Sequence, residues 1–353
     1  MHEIKKLLRT NKTGTVTGFC AAPWTNLTVD TSGLLYACSC DGYVKKPIGN
    51  ILEIETKEEF VSLLNNNIMK DSILDGSYRL CDAVVCPFIQ DNILSGTVIK
   101  KLFKESTNDL TSLNLREILL QIDRSCNLQC PSCRDDIIIH KNNTETQKTR
   151  EILKRLESYV FEDAKETIYV RIVGNGELFA SHTMLPWFLN FDFNKYPNIN
   201  FDIHTNATLI SRHEDYLLSI ANKIRLIEVS TDAATAEIYS VVRKGGNWID
   251  FLKGIQTIKK IRQVNNRIIL NSSFVVSSLN YTDIPEFIKF AKSNNSDITF
   301  YKVLVWGMNE QKFEKLNIFS PKHPLHNDLH DILKTIDFKD EKINSSIFNI
   351  KFN

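Results

Sequence analysis

Three cysteines crowd one short loop, Asp123-Arg124-Ser125-Cys126-Asn127-Leu128-Gln129-Cys130-Pro131-Ser132-Cys133-Arg134. The C-x3-C-x2-C spacing lets three thiolates converge on three corners of a cubane iron–sulfur cluster, because such clusters are held by Cys thiolates. Three ligands instead of four leave one iron open, and an open iron can chelate a small molecule through an amine and a carboxylate. A structural zinc takes four ligands, commonly in two close pairs, and no fourth candidate lies nearby in the sequence. The other five cysteines are Cys20, Cys38, Cys40, Cys81 and Cys86, and none follows Cys133. Disulfide frameworks suit small secreted domains, so clustered thiols in a chain of 353 residues point instead to metal or cluster ligation.

The elements around these residues change character along the chain. Residues 1–18 read as a polar lead-in. Residues 27–29 and 34–37, with Thr31-Ser32-Gly33 between them, read as a β-hairpin. Residues 56–69 read as one helix, capped by Thr56 with Glu59 three positions on. Residues 91–114 read as a connector. From 115 onward strands and helices alternate. Strands are expected at 116–123, 167–174, 198–205, 223–230, 267–276 and 297–305. Helices are expected at 145–160, 182–191, 212–222, 233–242, 248–263 and 281–293. Apolar strands alternating with amphipathic helices mean βα units and a parallel sheet. Six units between 115 and 310 average about 33 residues each, a normal βαβ spacing. A closed barrel needs eight, so the fold class is α/β: a partial (β/α)6 TIM-like barrel, preceded by a small Cys-rich α+β domain at 19–90 and followed by a tail at 311–353. Ligand chemistry in such sheets sits at the carboxyl ends of the strands, which is where the cysteine loop falls.

With the triad after the first barrel strand, the sequence resembles the radical S-adenosylmethionine (radical SAM) superfamily. Further segments match in order. Gly174-Asn175-Gly176-Glu177 follows the second strand, like the family's Gly-Gly-Glu motif. Thr205-Asn206-Ala207 closes the third, like Thr-Asn-Gly, and Ser230-Thr231-Asp232 closes the fourth. Arg243 then precedes Lys244-Gly245-Gly246, and Asn280 follows the fifth strand. The resemblance implies that Cys126, Cys130 and Cys133 hold a reducible [4Fe-4S] cluster and that S-adenosylmethionine chelates its open iron. It places Gly174, Gly176, Glu177, Asn206, Ser230 and Arg243 around that ligand: Gly176 and Glu177 at the methionine amino group, Ser230 at the ribose or carboxylate, Arg243 at the carboxylate. Cleavage would give a 5′-deoxyadenosyl radical that abstracts hydrogen from a substrate. One departure is Ser132, where the family often carries an apolar or aromatic residue near the adenine.

The first cysteine group has its own pattern: Cys20, twelve residues, Gly33, four residues, Cys38, then Cys81 and Cys86 after the helix. A hairpin brings Cys20 and Cys38 together and the helix returns Cys81 and Cys86 to the same point. Four thiolates would close a second, auxiliary [4Fe-4S] cluster or hold a structural zinc. With Pro23-Trp24 and Pro47-Ile48-Gly49-Asn50, this segment resembles the SPASM or twitch auxiliary-cluster modules, here placed before the barrel. Cys40 is left over, as an alternative ligand to Cys38, a buried thiol, or a hydrogen-atom donor.

The composition narrows the partners. Lys plus Arg number 43 against 42 Asp plus Glu, a formal net charge of +1, which argues against nucleic acid and membrane as partners. No apolar run is long enough to span a bilayer, and no hydrophobic stretch follows the basic residues at the start, so a cytoplasmic location is expected. The partners expected are an external electron donor of the flavodoxin or ferredoxin type and a peptide or protein substrate. The alternatives are a dehydrogenase or epimerase of a sugar or small metabolite, and a non-catalytic iron–sulfur electron carrier. His326 and His330, four apart, would share a helix face, and Trp187, Trp248 and Trp306 read as core or rim residues.

Overall fold

The computed structural model describes residues 19–83, 85–90, 114–172, 175–305, 308–338, 340 and 342–344. The lead-in, nearly all of the connector, Gly174, Trp306 and the last nine residues lie outside these. The fold is mixed α/β. It divides into two compact units, one of Met1–Asp123, Lys141–Asn175 and Pro186–Asn200, the other of Arg124–His140, Gly176–Leu185 and Phe201–Asn353.

In the first unit the expected hairpin forms. Strands β1 (Asn26–Asp30) and β2 (Leu34–Tyr36) run antiparallel with Val29 opposite Leu35. Gly33 turns between them at φ +81°, a left-handed value that suits a residue without Cβ. The Asp30 carboxylate fastens the turn by accepting from the N–H groups of Ser32 and Leu34 at 2.8 and 2.9 Å. Strand β3 (Gly49–Asn50) pairs with β2. On its other edge β1 pairs in parallel with β4 (Glu117–Gln121), and β4 with β5 (Ile168–Ile172), giving the order β5-β4-β1-β2-β3. Leu27, Val29, Ile118 and Val170 on these strands are fully buried.

The helix expected over 56–69 is two helices. Thr56 and Glu59 form a capping box at the start of Lys57–Asn65, as their spacing requires. The chain then breaks, and the Asn67 side chain accepts from the N–H groups of Met69 and Lys70 at 3.1 and 3.2 Å to cap Ile68–Leu74. Helix Thr144–Leu156 runs into a π turn, Glu157–Phe161. From there Arg155 Nη1 reaches the Ile51 carbonyl at 3.0 Å and the Tyr159 hydroxyl the Ile54 carbonyl at 3.2 Å, fixing the segment that precedes Thr56.

In the second unit β6 (Ile199–Thr205, from Phe201 on), β7 (Ile224–Ser230), β8 (Ile269–Val276) and β9 (Asp297–Lys302) pair in parallel, each with the next. Helices Glu214–Ser219, Ala236–Val242, Trp248–Val264 and Ile284–Ser293 lie between them in the chain, completing βα units. Strand β9 stops at Lys302, short of the expected 305. The tail contributes a strand that periodicity does not announce: β10 (Ile343–Asn344) pairs in parallel with β9. Ile318, Leu329, Leu333, Phe338 and Ile343 share one core with Phe274, Phe287 and Phe300. Among the described residues no helix is long and apolar enough to cross a membrane.

Candidate functional site

The cysteine loop of the second unit is held by its own backbone. Cys126 N–H donates to the Ile138 carbonyl at 2.7 Å, and Cys133 and Arg134 N–H both donate to the Cys130 carbonyl, at 2.9 and 3.0 Å. Gln129 N–H donates to the Lys244 carbonyl at 2.9 Å, which ties the loop to the glycines after Arg243. Gly245 sits at φ +90° and packs against Asn127 and Leu128, where the absence of a side chain permits close backbone approach. Burial pushes the Cys126 thiol up to about 11, with the Glu177 carboxylate adding to the effect. Burial raises Cys130 as well, and Arg243 opposes the rise. All eight cysteines are free thiols.

Glu177, 3% exposed, is the hub between this loop and the end of β6. Its N–H donates to the Ser125 carbonyl at 2.7 Å. Its carboxylate accepts from Phe179 N–H at 3.2 Å, Thr205 hydroxyl at 2.9 Å and Asn206 N–H at 2.6 Å. Burial pushes its pKa up, and these donors counter the shift. Gly176 lies beside it, half-buried. Asn206 turns its amide nitrogen to Asn127 Oδ1 at 3.0 Å and lies 4.0 Å from the Cys126 sulfur. Ala207 takes φ +62°, the conformation for which glycine is the usual residue.

Ser230 and Arg243 close the other side. The Ser230 hydroxyl pairs with His204 Nε2 at 2.7 Å. Arg243 directs Nη1 to the Cys130 sulfur at 3.6 Å and Nη2 to Asp232 Oδ2 at 2.9 Å, with the two side chains 11% and 3% exposed. Asp232, at φ +55°, also accepts from Val275 N–H at 2.7 Å. Asn280 staples this turn: its amide nitrogen donates to the Asp232 and Val275 carbonyls at 2.9 and 3.0 Å. Burial pushes the Asp232 carboxyl up, while Asp232 and Cys130 hold Arg243 in its charged form.

The second unit thus links Cys126, Cys130, Cys133, Glu177, Asn206 and Arg243 through one set of contacts, while Ser230, at the end of β7, meets His204. Sequence reasoning did not single out His204 or Asp232 as site residues. A histidine inside a strand and an aspartate in a turn carry no spacing signal; Asp232 is revealed by the return of Arg243 from helix Ala236–Val242, and His204 by its contact with Ser230.

The donor set fits an iron–sulfur group. Three thiols lie beside two guanidiniums, those of Arg243 and Arg134. Among the described residues Arg243 Nε and the Tyr239 hydroxyl, both buried, have no hydrogen-bond partner, as donors facing an anionic group would. Among the described residues no group of three or more His, Cys, Asp or Glu is arranged to hold a single metal ion.

In the first unit, Cys20, Cys81 and Cys86 border one apolar cluster, with Phe19, Trp24 and Tyr78, and Cys38 and Cys81 border another, with Ala37, Val44 and Met69. Burial pushes Cys20 and Cys81 up to about 12, with neighbouring thiols adding to the rise. Cys40 is also pushed up to about 12, by burial and then by Asp41, whose carboxylate its thiol meets at 3.6 Å. His326 and His330 share a face of helix His326–Lys334, their rings 4.7 Å apart, and His326 Nδ1 meets the Ile318 carbonyl at 3.1 Å.

No protein-family description and no curated protein matches the chain. Among solved structures, similarity is found to a histidine-tagged form of anSMEcpe with bound AdoMet, at 22% identity and a TM-score of 0.40 over 54% of this chain and 51% of that one. Native anSMEcpe with bound AdoMet and Cp18Cys peptide gives 20% and 0.41 over 56% of each chain. Native anSMEcpe with bound AdoMet gives 19% and 0.40 over 62% of this chain and 59% of that one. The chain therefore spans little more than half the length of the structures it resembles. Its resemblance to the radical SAM superfamily rests on its own residues, above all the loop of Cys126, Cys130 and Cys133 and the Glu177, Asn206 and Arg243 that gather around it.

Proposed function

We propose that this chain is a radical SAM enzyme. The carrying observation is the meeting, in one unit, of the cysteine triad with Arg243 at 3.6 Å from Cys130 and Asn206 at 4.0 Å from Cys126. Cys126, Cys130 and Cys133 would hold a [4Fe-4S] cluster in a partial (β/α)6 barrel. The chemistry that cluster supplies when bound is the one-electron reduction of S-adenosylmethionine. The residues of the chain bind and orient. Glu177 fixes the Thr205–Asn206 turn against the cysteine loop, and Asn280 and Asp232 fix the turn that presents Arg243. Gly176, Ser230 and Arg243 would face the methionine and ribose ends of the ligand, with Gly174 assigned by resemblance alone.

Cys20, Cys38, Cys81 and Cys86 would hold an auxiliary [4Fe-4S] cluster, with Cys40 outside it, in a SPASM-like module that passes electrons from substrate. The favoured substrate is a peptide or protein, with reducing power from a flavodoxin or ferredoxin in the cytoplasm. Anaerobic reconstitution tests this reading. The account requires about eight irons per chain and 5′-deoxyadenosine from S-adenosylmethionine and dithionite. Iron without cleavage would make the chain an electron carrier and overturn the proposal.

A further inference from the structure

Two guanidiniums bracket the cysteine triad, and they are differently anchored. Arg243 reaches the Cys130 sulfur at 3.6 Å, but its charge is faced at 2.9 Å by the carboxylate of Asp232. Arg134 follows Cys133 directly and is 8% exposed. Its N–H donates to the Cys130 carbonyl at 3.0 Å and its Nη1 to the Arg124 carbonyl at 2.6 Å. From that anchored position the head hydrogen-bonds the Cys133 thiol, and its charge acts on Cys126 and Cys130 as well.

We propose that Arg134 is a positioning residue that sets how readily a cluster on Cys126, Cys130 and Cys133 accepts its electron. The inference rests on the radical SAM reading above. One electron enters from an external reductant and no bond breaks, so the cluster with its thiolates becomes one unit more negative. A buried cation beside the ligating sulfurs stabilises that reduced form over the oxidised one, since charge and hydrogen bonds at the sulfurs set the potential. None of the roles implied by family resemblance falls on Arg134.

The test uses the full chain, reconstituted anaerobically and titrated potentiometrically with dithionite. Its readout is the electron paramagnetic resonance signal that changes when S-adenosylmethionine is added. Arg134→Gln keeps a polar head and removes the charge. It is expected to lower the reduced-to-oxidised ratio about tenfold at a fixed applied potential, a shift of about 59 mV to more negative values for one electron. Arg134→Lys keeps the charge and is expected to stay within about threefold of the parent. Arg134→Gln at the parent's potential would overturn the proposal, as would Arg134→Lys shifting as far as Arg134→Gln. Loss of iron from both variants would also overturn it, because the side chain would then be a folding element. Iron lost from Arg134→Gln alone, beside a parent-like Arg134→Lys, supports it, since charge separates the two. A parent without any signal sensitive to S-adenosylmethionine defeats the proposed function instead.

Discussion

Replacing Asp232 with Asn isolates the charge of the pair that holds Arg243. Asparagine tolerates the φ of +55° at this position and keeps an oxygen for the Val275 N–H, 2.7 Å away. What disappears is the negative charge 2.9 Å from Arg243 Nη2, between side chains 3% and 11% exposed. Removing one partner of a buried pair costs about 3–5 kcal/mol, because the other charge is left uncompensated. The residual exposure of Arg243 and its contact with the Cys130 sulfur put the expected loss at the lower end, about 3 kcal/mol. With a urea dependence of about 2 kcal/mol per molar, the unfolding midpoint of the iron-free, reduced protein should fall by about 1.5 M. Arg243→Met should cost less, because burial already favours the neutral form of the Asp232 carboxyl. The double variant leaves no lone charge and should recover part of the loss, with a coupling energy of about 2–3 kcal/mol. An Asp232→Asn midpoint within about 0.3 M of the parent, or strict additivity in the double variant, would refute this account of the site's electrostatics.

Three further outcomes follow from other contacts. A Cβ at Gly254 would lie 2.0 Å from the Ala207 carbonyl oxygen, so Gly254→Ala must displace the turn carrying Asn206. It should cost about 1–3 kcal/mol and lower Tm by about 3–10 °C, and an unchanged Tm would show that the turn yields freely. His213 stacks on Phe179 at 5.6 Å, and burial, then Arg212, lowers its pKa below the usual 6.5. Its neutral form is therefore favoured in the fold, so its contribution to stability is complete above about pH 6.5 and is lost as pH falls through the lower folded value. His213→Gln should flatten that part of the Tm-against-pH curve, and an equally steep curve in the variant would reassign it to other groups. Cys20 and Cys81, pushed up to about 12, carry little thiolate at pH 8. In the folded, iron-free chain they should react with iodoacetamide about a thousandfold more slowly than in urea; equal rates, read by mass spectrometry, would show that the thiols are not buried.

The parts of this fold legible in sequence are those with local causes. Alternation of apolar residues located β4 through β9, and the Thr56–Glu59 spacing located a helix start, because period and capping are properties of neighbouring residues. The end of that helix was not legible: Asn66 and Asn67 read as ordinary polar helix positions until the Asn67 side chain is seen capping the next helix. Strand β10 was missed because two residues carry no period, and pairing with β9 alone defines it. In the site, the thiol loop was legible from spacing. The work of Asp232, His204 and Asn280 was not, since each depends on partners brought from distant segments: Arg243, Ser230 and the Val275 carbonyl. The three protein hydrogen bonds that the Glu177 carboxylate accepts across the β6 turn are likewise set by residues distant in the chain or by local folding that no spacing announces.

The central claim is tested most directly by measuring 5′-deoxyadenosine formed anaerobically from S-adenosylmethionine and dithionite by three reconstituted proteins: the parent, Cys126→Ala/Cys130→Ala/Cys133→Ala, and Cys81→Ala/Cys86→Ala. The account predicts product from the parent and from the Cys81/Cys86 variant, and none from the triple variant. Cleavage by the triple variant at the parent's rate would contradict it.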